Sequence, residues 1–419
     1  MKRFVIAFAV ILIGAPATAQ DDAARLIAEC DRLAASDLDH QRPPSVKGVA
    51  AAAIDVRAAV TACLAAARAA PSEPRIQFQL GRVLAAAQRH GEARAAYERA
   101  DAAGYAAAAN NLASAYQHGQ GVPREPATAL RMFEKAAAAG LAIAMFNLGM
   151  LHEQGNLVAK DAAQAQRWYA QSLPAFEKLA DGGSVTAMGW LGGMYEAGRG
   201  AARDVAAARR WYEKAANAGN AAAMARLGYF AETGETIAKD LAEALRWYLK
   251  SAEAGHAMSM WKVANFHHHG LGIAQDLAQA RLWYAKAAAA GDAESMNNLA
   301  LFLEHGMGGP IDVAASMQWL ERAANAGVPA AMFNFALRYQ QGRNVELDLA
   351  KARQWYEKSA RAGYPEAMNS LALLYERGEG GPRDLALAEQ WYVKAVKAGD
   401  KHAPRNLELM REKGPARPQ

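Results

Sequence analysis

Ser259 and Lys262 stand three residues apart in the run Ser259-Met260-Trp261-Lys262. Helical spacing of three puts a hydroxyl and an amine on one face, the arrangement of a serine nucleophile served by a lysine. No Ser-Asp-Asn or Lys-Thr-Gly stretch accompanies the pair, so two surface side chains are the plainer reading. His267-His268-His269 offers three imidazoles in a row. Consecutive helical residues point about 100° apart, so three in succession do not chelate one ion from a regular helix. His269 and His305 hold the same place in neighbouring repeats, but packed helix layers lie about 10 Å apart. No metal site is expected. Gly-x-Ser-x-Gly, His-Glu-x-x-His, Cys-x-x-Cys and a strand-borne phosphate loop are all missing, so the chain reads as non-catalytic and without a cofactor.

The elements that carry these residues keep a strict beat. An aromatic pair recurs as Met132-Phe133, Trp168-Tyr169, Trp211-Tyr212, Trp247-Tyr248, Trp283-Tyr284, Trp319-Leu320, Trp355-Tyr356 and Trp391-Tyr392, spaced by 36 residues with one interval of 43. Two glycine series share the same exception, one running from Gly104 to Gly399 and the other from Gly119 to Gly378. Such repetition is the mark of a stacked array. Each unit reads as two helices. The first follows Ala367-Met368-Asn369-Ser370-Leu371 through Tyr375 to Gly378, with apolar residues three and four apart and a glycine suited to a left-handed end. The second opens at Asp161, Asp204, Asp240, Asp276, Asp312, Asp348 or Asp384, each able to accept from free amides of the first turn. Asp240 and Glu243 have capping-box spacing. Seven of the nine tryptophans fall on the beat and are expected in the core; Trp190 and Trp261 do not. The long interval carries Pro174 and seven extra residues, about two helical turns.

The N-terminus sets the expected compartment. Lys2 and Arg3 precede an apolar run from Phe4 to Ile13, and Ala17-Thr18-Ala19 gives a small-residue cleavage site. Residues 1–19 read as a secretory signal peptide, too short for a membrane span. The expected location is periplasmic or secreted, with no membrane insertion after cleavage. The formal charge is +5, and without Lys2 and Arg3 the balance is 45 basic to 42 acidic residues. That is too mild for a nucleic-acid partner. In an oxidising compartment Cys30 and Cys63 can form a disulfide; two buried free thiols are the alternative. The expected domains are a helical cap over 20–70, interrupted at Gln41-Arg42-Pro43-Pro44, a trimmed hairpin over 71–104, eight repeats over 105–400, and a capping helix with a loose tail over 401–419.

The helix pattern, the Gly-x-Gly loop, the Asp helix start and the ending Trp-Tyr-x-Lys-Ala-Ala-x-Ala-Gly resemble the Sel1-like repeat family, a relative of the tetratricopeptide repeats. Residues 71–104 resemble an ordinary tetratricopeptide repeat. The resemblance implies an all-α fold, an α/α right-handed superhelical solenoid of helix-turn-helix repeats, whose concave surface binds proteins. It implies an envelope regulator or an assembly adaptor. By the same likeness, Asn110, Phe146, Trp261, Asn297, Phe333 and Asn369 look into that surface, as do Tyr229 and Asn265 one turn on. Phe146, Tyr229, Trp261, Asn265, Asn297, Phe333 and Asn369 are therefore the candidate partner-binding residues. Phe146 and Phe333 have a second reading, tucked sideways into the next repeat, and the asparagines a second reading as a solvated face. A cell-wall or β-lactam hydrolase using Ser259 and Lys262, the spacing found in penicillin-binding enzymes, is the alternative function.

Overall fold

Alanine-rich stretches ended by glycine give helices throughout. In the computed structural model, residues 17–49, 53–235 and 238–413 are described, and among them no strand occurs beyond an isolated parallel bridge between Ser36 and Val49. Residues 1–16 of the expected signal peptide and 414–419 of the expected loose tail lie outside the described residues. No helix among the described residues is long and apolar enough to cross a membrane.

The chain divides into two units, 1–223 and 224–419. The first holds α1 (Ala17–Ala34), α2 (Val56–Ala69), α3 (Pro74–Ala86), α4 (His90–Ala102), α5 (Ala106–His118), α6 (Pro126–Ala138), α7 (Ala142–Gln154), α8 (Ala162–Asp181), α9 (Val185–Ala197) and α10 (Val205–Asn217). The division falls inside α11 (Ala221–Thr233). The second unit continues with α12 (Leu241–Glu253), α13 (Ala257–His269), α14 (Leu277–Ala289), α15 (Ala293–His305) and α16 (Val313–Asn325). It ends with α17 (Pro329–Gln341), α18 (Leu349–Arg361), α19 (Pro365–Arg377), α20 (Leu385–Lys397) and α21 (Ala403–Lys413). The fold is all-α, a solenoid architecture of paired helix-turn-helix repeats.

The expected helix starts are in place. Each of the seven aspartates accepts the amide three residues on, as Asp161 does from Gln164 at 2.9 Å and Asp384 from Leu387 at 2.9 Å. That satisfies one of the orphan donors of the first turn. The capping box at Asp240 is made only by half. Asp240 accepts from the Glu243 amide, but its own N–H goes to Ala231 O, and the Glu243 carboxylate takes the Trp247 indole N–H instead. First helices close on left-handed glycines, such as Gly198 at φ 67°.

The aromatic pair divides its labour differently from expectation. Tyr169, Tyr284, Tyr356 and Tyr392 are fully buried. Of the seven periodic tryptophans only Trp283 and Trp391 are buried, and the rest are half-buried. The helix places the side chain three residues on over the indole. Lys214, Lys250, Lys286, Arg322, Lys358 and Lys394 each set their charge 3.8–4.7 Å from the ring centroid of the tryptophan before them. The motif Trp-Tyr-x-Lys thus codes for a buried phenol and a cation-covered indole.

The extra residues lengthen α8 to 20 residues against 13 for its neighbours. Pro174 lies inside this helix. The added turns carry Phe176 into the core beside Trp190, rings stacked with centroids 6.3 Å apart. At the N-terminus Cys30 and Cys63 are disulfide-bonded and fully buried, joining α1 to α2. The interruption between these helices is longer than the expected Gln41–Pro44: residues 35–49 and 53–55 all lie outside α-helix.

Candidate partner-binding face

The residues with catalytic spacing are spoken for. Ser259 is buried, and its hydroxyl donates to Ser251 Oγ at 2.8 Å and lies 2.8 Å from His256 Nδ1. Lys262 Nζ donates to both carboxylate oxygens of Glu232, at 3.0 and 2.8 Å. The two side chains face different partners, because α13 turns Ser259 towards Ser251 on α12 and Lys262 towards Glu232 on α11. The histidine run is spread around the same helix. His268 stands 3.2 Å from the Tyr284 hydroxyl and edge-on to Phe302, while its ring stacks on His269. Burial lowers the pKa of both His267 and His268. Among the described residues no three His, Cys, Asp or Glu side chains converge as a metal ion requires.

The seven expected partner-binding residues separate into two groups. Phe146 is buried at 1% exposure, against Tyr169 at 5.0 Å and Trp190 at 4.7 Å. The expectation that it faces a partner is corrected: the lengthened α8 adds Phe176, which with Trp190 closes over the ring. Asn297 is likewise buried, and its Oδ1 accepts from Asn334 Nδ2 at 3.4 Å. Asn110 and Asn147, and Asn369 and Asn406, repeat that bond at 3.0 and 2.9 Å. The asparagines therefore form an internal seam, each bonding the asparagine 37 residues on, which corrects their assignment as free rungs for a partner. Asn265 accepts from the Tyr284 hydroxyl at 2.6 Å.

Tyr229, Trp261 and Phe333 remain accessible, all in the second unit. Tyr229 is 37% exposed, with the Arg226 guanidinium 4.2 Å over its ring. Phe333 is half-buried between Tyr356 and Tyr364, with centroids 5.6 and 5.4 Å away. Trp261 is half-buried, and its indole N–H, itself buried, finds no hydrogen-bond partner among the described residues. All three sit on first helices, α11, α13 and α17.

Sequence reasoning missed a polar relay. The hydroxyls of Tyr169, Tyr212, Tyr248 and Tyr392 donate to the glutamate 16 residues earlier, Glu153, Glu196, Glu232 and Glu376, at 2.6–2.9 Å. Tyr356 does the same to Gln340 at 2.7 Å. Burial raises the pKa of these phenols, that of Tyr212 to about 12. Where Leu320 replaces the tyrosine, Glu304 is buried and bonds to Arg338, with Arg343 at 3.1 Å. The signal was present: an acid or amide two residues before the second glycine of almost every repeat. Ile311 and Leu347 were missed too. They are exposed at 65% and 58%, at a position where other repeats carry Lys160, Arg203, Lys239 or Arg383.

Comparison with known proteins agrees with this hairpin geometry. A family model described as the Sel1 repeat matches residues 106–141, 142–173, 185–220, 221–256, 257–292, 293–328, 329–364 and 365–400. A search of curated proteins gave no match. Among solved structures, the chain is similar to c5321, a protective antigen present in uropathogenic Escherichia coli strains and displaying an SLR fold. That match has 27% identity and a TM-score of 0.54, covering 86% of this chain and 84% of that one. A Sel1 repeat protein from Oxalobacter formigenes matches with 29% identity and a TM-score of 0.53, covering 78% of this chain and 89% of that one. With eight matched hairpins running from 106 to 400, the chain belongs to the Sel1 repeat family.

Proposed function

We propose that this protein is an exported, non-catalytic scaffold that binds a protein partner through the first helices of its hairpins. The observation that carries the reading is the set Tyr229, Trp261 and Phe333, aromatic side chains left accessible on α11, α13 and α17. Aromatic anchors of this kind dominate protein interfaces. The engagement of Ser259 and Lys262 with other partners supports the non-catalytic side. The basic-then-apolar N-terminus and the Cys30–Cys63 disulfide support export to the periplasm or beyond, where such bonds persist. The role fits an envelope regulator or an assembly adaptor.

The test is affinity capture and cross-linking from envelope extract. A specific partner is expected with the wild type and is expected to fall at least tenfold with Trp261→Ala or Phe333→Ala, at unchanged helicity. Equal capture by both variants would overturn the assignment of the face. No covalent penicillin label on Ser259 is expected; a label there would replace the scaffold reading with the hydrolase one.

A further inference from the structure

Residues 35–49, between α1 and α2, form a loop whose ends are pinned together. Val49 N–H donates to Ala35 O at 2.6 Å, Ser36 and Val49 form the parallel bridge, and the Arg82 guanidinium bonds both Ala34 O and Val49 O. Closed ends around a compact excursion define an Ω-loop. Its middle reaches far along the first unit. Tyr105, which precedes α5, donates its hydroxyl to Asp39, and Gln41 Oε1 accepts from Ala106 N–H at 2.9 Å. Asp37 Oδ2 accepts from Thr186 N–H at 3.1 Å and from Ser184 Oγ at 3.4 Å, at the start of α9. Leu38 packs on the cluster that holds Phe146 and Trp190. Asp37 and Asp39 are buried, Ser36 and Leu38 half-buried, the alternation of an extended strand.

The contact is that of a peptide lying on helix N-termini. The loop supplies caps from outside to α5 and α9, whose first amides and positive dipole ends favour carboxylate and amide oxygens. It is also an incompletely sealed contact. One half-buried leucine is its apolar anchor, and two carboxylates are buried to make it, which opposes docking. Arg42 Nε is buried with no hydrogen-bond partner among the described residues, beside a cavity of 430 Å³ that Gly183, Ser184 and Val185 also line.

We propose that this loop is a displaceable internal ligand, and that the face beneath it, at the N-terminal ends of α5 and α9, is a second docking surface. Its occupant is an extended segment of another protein with the loop's own pattern, an aspartate on each side of an apolar residue and an amide two residues further on. The loop keeps this face shut until such a segment replaces it. The surface lies in the first unit and does not depend on Tyr229, Trp261 or Phe333.

The test uses the full chain with its disulfide intact. Residues 36–48 are replaced by a Gly/Ser segment of equal length, and a fluorescent peptide of residues 35–49 is the probe. The peptide is expected to bind the replaced variant at least tenfold more tightly than the wild type. Changing both aspartates of the peptide to alanine is expected to remove at least tenfold of that affinity. Binding to neither protein, or equal binding of a scrambled peptide, overturns the proposal, as does a replaced variant that no longer folds. Hydrogen exchange on the wild type gives an independent reading. Amides of 36–49 are expected to exchange at least tenfold faster than those of α5 and α9. Exchange of loop and helices at one common rate would make the loop an integral part of the fold and end the idea.

Discussion

Tyr248 and Glu232 are joined by a 2.6 Å hydrogen bond from phenol to carboxylate, and Lys262 closes on the same carboxylate at 2.8 Å. One glutamate therefore ties the second helix of its own hairpin to the first helix of the next. Removing the phenol hydroxyl with Tyr248→Phe leaves the carboxylate with its lysine, and is expected to cost about 1 kcal/mol. Glu232→Ala strands a phenol and an ammonium together, and is expected to cost about 2–3 kcal/mol. Urea denaturation of both single variants and the double variant checks this; equal single costs would mean the bridge is not shared.

Gly149 marks a close approach. A Cβ there would lie 2.5 Å from the ring of Tyr169, which is fully buried. Alanine gains about 1 kcal/mol of helix propensity over glycine, but overpacking costs about 1–3 kcal/mol. Gly149→Ala is expected to destabilise by about 1 kcal/mol. The corresponding residue beside Tyr284 is already Ala264, so Ala264→Gly is expected to cost about 1 kcal/mol through propensity. Thermal melts of the two variants decide it, and a stabilised Gly149→Ala would show that the ring can shift.

Asp39 gives the loop a pH dependence. Burial raises its carboxyl above the ordinary value of 3.8, against the lowering pull of the Tyr105 hydroxyl, the Gln41 amide, His40 and Arg42; Arg82 on α3 also faces it. A raised folded-state pKa favours the protonated, docked form. Docking is therefore strongest below about 3.8 and weakens as pH rises through the raised value. Exchange protection of residues 36–49 is expected to increase relative to α2 as pH falls towards 3.8, and Asp39→Asn is expected to flatten that trend. Asp39→Ala leaves the buried Tyr105 hydroxyl without its acceptor and is expected to destabilise by about 1–3 kcal/mol. A trend of opposite sign in the wild type would refute this account of the carboxyl.

The Cys30–Cys63 bond closes a 33-residue separation with both sulfurs fully buried. Chain entropy sets its contribution at about 3–4 kcal/mol. The paired Cys30→Ala and Cys63→Ala variant is expected to lose stability in the first unit. Reductant alone is expected to leave the native bond intact, since the sulfurs are out of reach until α1 and α2 part. Thiol alkylation with and without urea reads this directly; rapid labelling of the reduced native protein would contradict it.

Much of the fold was legible because its determinants are local. The aspartate caps, the glycine helix ends and the beat of Trp-Tyr depend on residues within a few positions of each other. The lengthening of α8 followed from Trp168, Gly183 and the extra residues between them. The division between the buried tyrosine and the cation-covered tryptophan was not read, although the lysine three residues on was in plain view. The site was less legible. The asparagine seam depends on a 37-residue offset between successive first helices, one more than the repeat itself. Phe146 was misplaced because Phe176, on the inserted turns, has no counterpart elsewhere. The docking of Asp37 on Thr186 spans 149 residues, and no local pattern announces it.

The disulfide and Arg82 hold the loop by both ends, so a displaced loop stays within reach of its seat. Its return is then unimolecular, at an effective concentration in the millimolar range for short flexible tethers. A soluble competitor of equal intrinsic affinity would have to be present at about that level to win. The tether therefore filters out weak or dilute segments and admits those delivered by a partner already anchored nearby.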